Sequence, residues 1–227
     1  MKNSFFIFVF LNLFLYLFIV LFHNIIPFSK FNYIYNAHHY LKDPRIDQRP
    51  FNFLRALGQY DAQWYLRNAE LGYPFAPQNT RQNDKHIMDG LSYAFDPFYP
   101  LILRLINSIF SNIELTAFIF ANILLGINFV SLYYVVSRLY TSTIALKTSL
   151  LLFTFPFSIF YRSYFTEGLY LFLLIWFSYF LIKKNFVYSA LNLGLMNITR
   201  GNGFLLNLYF LYLLWKAVKK KKCSFRK

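Results

Sequence analysis

The sequence predicts an all-α fold, a polytopic membrane helix bundle of about six spans with a large first extracytoplasmic loop. Hydrophobic residues make up 57% of the 227 residues and charged residues only 14%, and the mean hydropathy is +0.38. A soluble core of this size cannot hide so much apolar surface. Apolar stretches near the length of a membrane span recur along the chain, and most of the acids lie between the first two. An integral, multi-pass membrane protein is therefore expected.

The formal net charge of +14 raises the question of a nucleic-acid partner. The basic residues, however, stand between apolar stretches and do not form a stripe interleaved with exposed aromatic residues. Positively charged loop ends on the cytoplasmic side account for them better, so no nucleic acid is expected. The single cysteine, Cys223, excludes an intrachain disulfide and a Cys-based metal cluster.

Residues 1–22 are the predicted first transmembrane helix. The stretch 4–22 carries no charged residue and is about long enough to cross a hydrocarbon layer of ~30 Å. A cleaved signal peptide is the alternative. The apolar run is long for such a peptide, and no small-x-small cleavage site follows at residues 23–28.

Residues 23–110 are predicted to form the extracytoplasmic loop, which holds surface helices. His38 and His39 are adjacent, so their side chains diverge on a helix or a strand and cannot share a metal ion. The nearby Asp43 and Asp47 do not repair this geometry. We expect solvent-exposed histidines, no metal site and no cofactor, although a divalent metal stays open.

The last part of this loop, residues 94–110, is apolar, but Pro97 and Pro100 are expected to break it. Arg104 stands near its middle, where a helix facing lipid tolerates a charge poorly. The sequence therefore predicts a surface or partly inserted segment here.

Residues 111–227 are predicted to complete the transmembrane bundle and to end in a basic cytoplasmic tail. The expected spans are residues 115–136, 144–161, 169–182, 186–198 and 204–215. Lysine and arginine residues cluster after every second span, at Arg138, Lys183 and the tail from Lys216, which makes these ends cytoplasmic. The long loop and the turns at 162–167 and 199–203 then share the non-cytoplasmic face.

In the long loop, a short helix is predicted to start at Asp61 and to lie on the membrane surface with the carboxylate outward. Trp64 and Asn68 are expected on the same face as Asp61. The opposite, apolar side is expected to hold Tyr65, Leu66 and Ala69. The alternative is that Asp61 is only the N-cap of this helix, since Asp accepts backbone N–H bonds there.

The turn at 162–167 carries Arg162 and Glu167 at membrane level, where ionisable residues are costly enough to indicate a site. The two are expected to pair. The alternative is an interfacial turn with a snorkelling Arg162 and a helix capped by Thr166.

Arg200 precedes two nearby glycines, so its guanidinium could bind a phosphate that approaches the backbone closely. A glycine turn at a helix end is the alternative. An exposed Asp, an acid and arginines on one face suit transfer from an anionic lipid carrier. Asp61 would deprotonate an acceptor hydroxyl, while arginine stabilises the departing phosphate.

Short motifs follow one another at these positions: Tyr60-Asp61-Ala62-Gln63-Trp64-Tyr65, Ala94-Phe95-Asp96-Pro97-Phe98-Tyr99-Pro100, Phe155-Pro156-Phe157-Ser158, Thr166-Glu167 and Thr199-Arg200. Their order and spacing resemble the PIG-V type of GPI mannosyltransferase and its prokaryotic relatives. The resemblance covers nearly the whole chain.

The resemblance implies a GT-C membrane glycosyltransferase, with the fold of the N-terminal half of that class, that uses a polyprenyl-phosphate sugar and inverts the anomeric centre. It implies Asp61 as the catalytic residue, with Glu167 as a possible second acid. Arg200 and Arg162 would bind the donor phosphate, and four residues would support the site: Tyr60, Trp64, Thr166 and Thr199. A lipid or glycan acceptor and membrane lipids are the expected partners.

Two features depart from the family pattern. Asp96 replaces an aromatic residue and adds a possible second acid, which favours a base role for Asp61 if the two approach, or else faces solvent. Members of the class usually have further spans beyond the region matched, so a truncated form is expected.

The competing function is a non-catalytic truncated homologue that acts as an assembly or lipid-binding subunit, with a partner subunit. A transporter is disfavoured, because the polar groups collect at one interface and not at mid-membrane. The expected location is a bacterial or archaeal plasma membrane, or the endoplasmic reticulum membrane of a eukaryote, with the active site on the non-cytoplasmic face.

Overall fold

The computed structural model describes residues 2–25, 52–73 and 92–224. Within these ranges the chain is helical and contains no strand, which confirms the all-α class. The histidine pair His38 and His39, together with Asp43 and Asp47, lies outside the described residues.

The described ranges contain nine α-helices. In chain order they are α1 Lys2–Ile25, α2 Phe53–Leu57, α3 Ala62–Leu71, α4 Phe98–Phe110, α5 Ile113–Leu139, α6 Ser142–Thr154, α7 Glu167–Ile182, α8 Phe186–Asn197 and α9 Phe204–Ser224. Short 3-10 turns occur at Ser92–Ala94, Pro156–Tyr161 and Gly201–Gly203.

Four of these helices begin at residues whose side chains cap them, and the cap of α2 is Asn52. Asn112 Oδ1 accepts from the Leu115 backbone N–H at 3.0 Å at the start of α5. Thr141 and Asn185 do the same for α6 and α8. Each side chain satisfies a backbone donor that has no partner inside the helix, so the start of each helix is set by a local signal.

Prolines shape the helix ends differently from the prediction. Residues 98–110 form the unbroken helix α4, with Pro97 at its N-cap and Pro100 in its first turn. The missing proline N–H costs nothing there, because first-turn N–H groups have no intrahelical acceptor. The predicted break was therefore wrong.

Pro156 has the opposite effect on the predicted span 144–161. Helix α6 ends at Thr154, and Phe155 is extended, with φ −60° and ψ 141°. A residue before proline is driven out of the helical region by the proline ring, so the helix stops and a 3-10 turn follows.

Two of the described helices are long and apolar enough to cross a membrane, α1 over Phe5–Phe22 and α5 over Ile113–Leu139. Helices α4, α6 and α7 are apolar but shorter. These helices are consistent with a membrane protein. The number of spans, about six, stays a prediction.

Helix α3 lies inside the bundle, where it packs against α4 and α5, and not on a surface. Seven of its ten residues are buried, including the three predicted on its apolar side, Tyr65, Leu66 and Ala69. Trp64 and Asn68 are buried as well, although they were expected to face outward with Asp61. Trp64 stacks on Phe95, and Asn68 Nδ2 donates to the Ser92 carbonyl at 3.1 Å, so the 92–95 segment covers this side of α3.

Candidate active site

Four segments of the chain come together to form the candidate site. They are the start of α3 with Asp61, the segment before α4 with Asp96, the start of α7 with Glu167 and the turn after α8 with Arg200. Arg200 Nη1 forms an ion pair with Glu167 Oε1. The Asp96 carboxylate accepts from the Gly201 N–H at 3.0 Å. The charge of Asp61 makes the smallest of the contributions that raise the pKa of Arg200.

The turn before α3 is held in an unusual conformation. Tyr60 has φ 56°, in the left-handed region that residues with a Cβ rarely occupy. Gln59 and Gln63 fix this turn, because Gln63 Nε2 donates to Gln59 Oε1 at 3.0 Å and Gln59 Nε2 donates to the Arg55 carbonyl at 2.7 Å. Strained backbone persists where the surroundings enforce it, and it is often found at functional sites. Asp61 follows directly and is exposed.

Neither predicted cap residue caps its helix with its side chain. Asp61 stands at the N-cap of α3 and Thr166 at the N-cap of α7, but neither side chain makes a capping hydrogen bond. Both residues have helical dihedral angles, whereas a capping side chain normally needs an extended N-cap residue. The explanation of Asp61 as merely a cap is therefore wrong.

The start of α7 lies deep beside α5. Asn128, near the middle of α5, donates from Nδ2 to the Gly168 carbonyl at 2.8 Å. Glu167, which precedes Gly168, therefore lies level with the middle of α5. This motif was expected at the outer end of a span. Thr166 is fully buried here and lies beside Tyr65.

The turn that carries Arg200 is fixed through its backbone. Thr199, fully buried, donates from Oγ1 to the Leu195 carbonyl at 2.6 Å. The Phe98 N–H donates to the Ile198 carbonyl at 3.1 Å, which attaches the turn to the start of α4. Gly203 packs so tightly that an added Cβ would lie 2.6 Å from Asn197 Oδ1. These contacts hold Arg200 in an extended conformation facing α7.

The charged groups of the candidate site change the pKa values of their neighbours. Partial burial disfavours the charged form of Arg200, but the hydrogen bond and the charge of Glu167, with smaller effects of Tyr65 and Asp61, outweigh burial and raise its pKa. Burial raises the pKa of Tyr65, and the carboxylates of Glu167 and Asp96 add to this effect. Arg200 is thus a permanent cation, and Tyr65 a neutral hydroxyl, near neutral pH.

A pocket of 320 Å³ opens beside the ion pair. Glu167, Arg200 and Asn202 supply its polar wall, and Leu171 and Leu174 of α7 supply an apolar wall. Two aromatic residues, Tyr161 and Tyr170, complete the lining. The pocket therefore offers a cation, a carboxylate and an apolar surface to one ligand.

A family model described as dolichyl-phosphate-mannose-protein mannosyltransferase matches residues 95–226, more than half of the chain. The chain belongs to this family. No curated protein and no solved structure matches it. The match contains Asp96, Glu167 and Arg200 and begins after Asp61.

Membership in the mannosyltransferase family makes the protein a membrane glycosyltransferase of the GT-C type. The predicted resemblance to GT-C mannosyltransferases is thereby confirmed. The narrower resemblance to the PIG-V type, with a role in GPI-anchor synthesis, stays a prediction.

In this family member Arg162 does not line the pocket and does not pair with Glu167. It is 1% exposed. Its guanidinium makes four hydrogen bonds, to Asn12 Oδ1 at 2.6 Å, to the Ser158 carbonyl and hydroxyl at 2.8 and 2.7 Å, and to the Phe153 carbonyl at 2.8 Å. A buried arginine needs such partners, because an unsatisfied buried charge is very costly. The expected Arg162–Glu167 pair was therefore wrong, and Arg162 joins α1 to the end of α6.

Two predicted supporting residues act on the site through packing. Trp64 stacks on Phe95 with 5.8 Å between ring centroids, and Phe95 immediately precedes Asp96. Thr199 stabilises the end of α8, as described above. Tyr60 is half exposed beside Asp61.

Sequence reasoning missed the aromatic lining of the pocket. Tyr170 follows Glu167 by one helical turn, so the helical period was the available signal. Tyr161 offered none, because the 3-10 turn that directs it toward the pocket could not be read from its neighbours. Among the residues the structure describes, no group of three or more His, Cys, Asp and Glu side chains is placed to hold a metal ion.

Proposed function

We propose that this mannosyltransferase-family protein transfers a mannosyl group from a polyprenyl-phosphate donor to a hydroxyl of a lipid-linked or surface-glycan acceptor, with inversion. The reaction takes place on the non-cytoplasmic face of the membrane. The observation that carries the proposal is the joint position of Glu167 and Arg200 on an apolar-walled pocket.

The pocket matches the two chemical parts of such a donor. The planar guanidinium of Arg200 can hold two phosphate oxygens at once. Leu171 and Leu174 extend the apolar wall along α7, where a polyprenyl chain would lie. The rings of Tyr161 and Tyr170 offer flat apolar surfaces to the faces of a sugar. Arg162 is left out of the donor site, because it is buried and makes four hydrogen bonds to the protein.

The proposed reaction is a single displacement. Asp61 accepts the proton of the acceptor hydroxyl as its oxygen attacks the anomeric carbon. The new carbon–oxygen bond forms on the face opposite the phosphate, so the configuration inverts. The bond from the anomeric carbon to the phosphate oxygen breaks, and its electron pair leaves with the polyprenyl phosphate. Arg200 stabilises the charge that develops on that phosphate.

The test is transfer of radiolabelled mannose from polyprenyl-phosphate mannose by membranes that contain the protein. Asp61→Asn should lower the rate by about 100-fold or more, because an amide cannot accept the proton. Glu70→Gln is the matched control, since it removes an exposed acid from the other end of the same helix. It should leave transfer unchanged.

Expression and membrane insertion of Asp61→Asn should match the parent, because the Asp61 side chain makes no capping bond to its helix. Parental transfer by Asp61→Asn would refute the base role. Absence of transfer by the parent, with correctly inserted protein, would favour the non-catalytic homologue.

A further inference from the structure

The Glu167–Arg200 ion pair occupies the position that the donor phosphate needs. We infer that Glu167 is a stand-in anion, which neutralises Arg200 in the donor-free protein and is displaced when the phosphate of the donor binds. This inference rests on the proposed function, because it assigns the donor phosphate to Arg200.

The pair lies on the binding surface itself. Glu167 and Arg200 both line the pocket, and their side chains retain 27% and 40% exposure. A phosphate that reaches the guanidinium from the pocket therefore meets the Glu167 carboxylate at the same place. Two anions in contact repel each other, so the phosphate and Glu167 compete for Arg200.

Within the described ranges, the Glu167 carboxylate is held by one partner, Arg200. Oε1 binds Arg200, whereas Oε2 is buried and has no hydrogen-bond partner in the part of the chain that the structure describes. Arg162, by comparison, makes four hydrogen bonds and is fixed. A carboxylate with one buried, unsatisfied oxygen is a poorly stabilised group, so its displacement sacrifices a single contact.

Arg200 keeps its position when that contact breaks. Its turn is attached to the protein through Asp96 on the Gly201 N–H, Phe98 N–H on the Ile198 carbonyl and the Thr199 hydroxyl on the Leu195 carbonyl. None of these bonds involves Glu167. The arginine thus stays preorganised for phosphate while the carboxylate moves.

The exchange makes the site selective for a charged lipid. A polyprenyl phosphate supplies the anion that replaces Glu167, whereas an uncharged polyprenol supplies none and leaves the ion pair closed.

The test measures the affinity of purified protein in nanodiscs for sugar-free polyprenyl phosphate. Glu167→Gln should bind it about fivefold more tightly or better than the parent, because the competing charge is gone. Glu167→Asp keeps the charge and has a shorter reach, so its affinity should lie between the two. The control Glu70→Gln should bind as the parent does. Uncharged polyprenol should bind the parent and Glu167→Gln equally.

The outcomes separate this inference from the proposed function. Unchanged or weaker binding by Glu167→Gln, with weaker binding by Arg200→Lys, means that Glu167 orients Arg200. That result overturns the exchange and leaves the donor site standing. Parental binding by Arg200→Lys, or no binding of polyprenyl phosphate by the parent, overturns the donor site and the exchange with it. If Glu167→Gln does not fold, equal affinity of Glu167→Asp and the parent overturns the exchange.

Discussion

Replacing Asn12 by leucine should destabilise the protein by removing the partner of a buried charge. Asn12 is 7% exposed and accepts from Arg162 Nε at 2.6 Å. No other acceptor is recorded for that nitrogen among the described residues, and leucine of similar size supplies none. The variant therefore leaves one donor of a buried guanidinium unsatisfied while the three bonds to the other two nitrogens remain.

The magnitude follows from the charge on the donor. A hydrogen bond to a charged group contributes about 1.5–3 kcal/mol. A chain of this size loses about 2–4 °C of melting temperature per kcal/mol. Asn12→Leu should therefore lower the Tm by about 3–12 °C. Tyr16→Phe is the matched control on the same helix, because it removes a neutral hydrogen bond to Asn122 of α5. Its loss of about 1 kcal/mol should lower the Tm by about 2–4 °C.

The assay is thermal unfolding of purified protein in one detergent, followed by size-exclusion chromatography. A double-mutant cycle with Arg162→Met isolates the interaction, since in that background Asn12→Leu should cost little. If Asn12→Leu lowers the Tm no more than Tyr16→Phe, or costs as much in the Arg162→Met background as in the parent, the structural role given to Arg162 is refuted.

Three further changes test the turn and the orientation of the bundle. Asp96→Asn should keep near-parental transfer, because its amide oxygen still accepts from the Gly201 N–H. Asp96→Ala should lower the rate of transfer by about 10-fold, the equivalent of one hydrogen bond. An equal loss of rate in both variants would instead make Asp96 an acid in the reaction. Gly203→Ala should lower the rate of transfer, because the added Cβ would lie 2.6 Å from Asn197 Oδ1. Gly201→Ala should leave the rate unchanged, because a Cβ added there meets nothing within 4 Å. Equal activity in the two variants would contradict the need for a rigid turn. In a Cys223→Ser background, Tyr93→Cys should react with an impermeant thiol reagent from the non-cytoplasmic side and Tyr140→Cys should not, as the placement of Lys and Arg requires. Labelling of both from one side would refute the proposed orientation.

Much of the helical framework could be predicted, because its signals are local. Asn112, Thr141 and Asn185 cap helices whose starts they mark in the sequence. Pro156 ends α6 by a rule that acts on its immediate neighbour, although the predicted span ran past it. Pro97 and Pro100 were misjudged, since the same residue type breaks a helix in its interior and starts one at its first turn.

Site residues could be found where a polar group stands at membrane level, as Glu167 and Arg200 do. Which of these charged residues pair with each other could not be predicted. Arg162 and Glu167 are near neighbours in the sequence and were expected to pair, but Arg162 binds Asn12, which lies 150 residues away, and Glu167 binds Arg200, 33 residues away. Trp64 and Asn68 were placed on an outer face, because the sequence does not show that the 92–95 segment covers them.

The sequence by itself determined the membrane character, the all-helical class and the short list of charged residues that an apolar chain retains at membrane level. These follow from composition and from the helical period, which depend on each residue and its close neighbours. Only the tertiary structure decided which of the charges is a structural anchor and which lies on a pocket. The partner of a buried charge is set by whichever distant segments the packing of helices brings within hydrogen-bond distance, and that distance is not encoded in spacing along the chain.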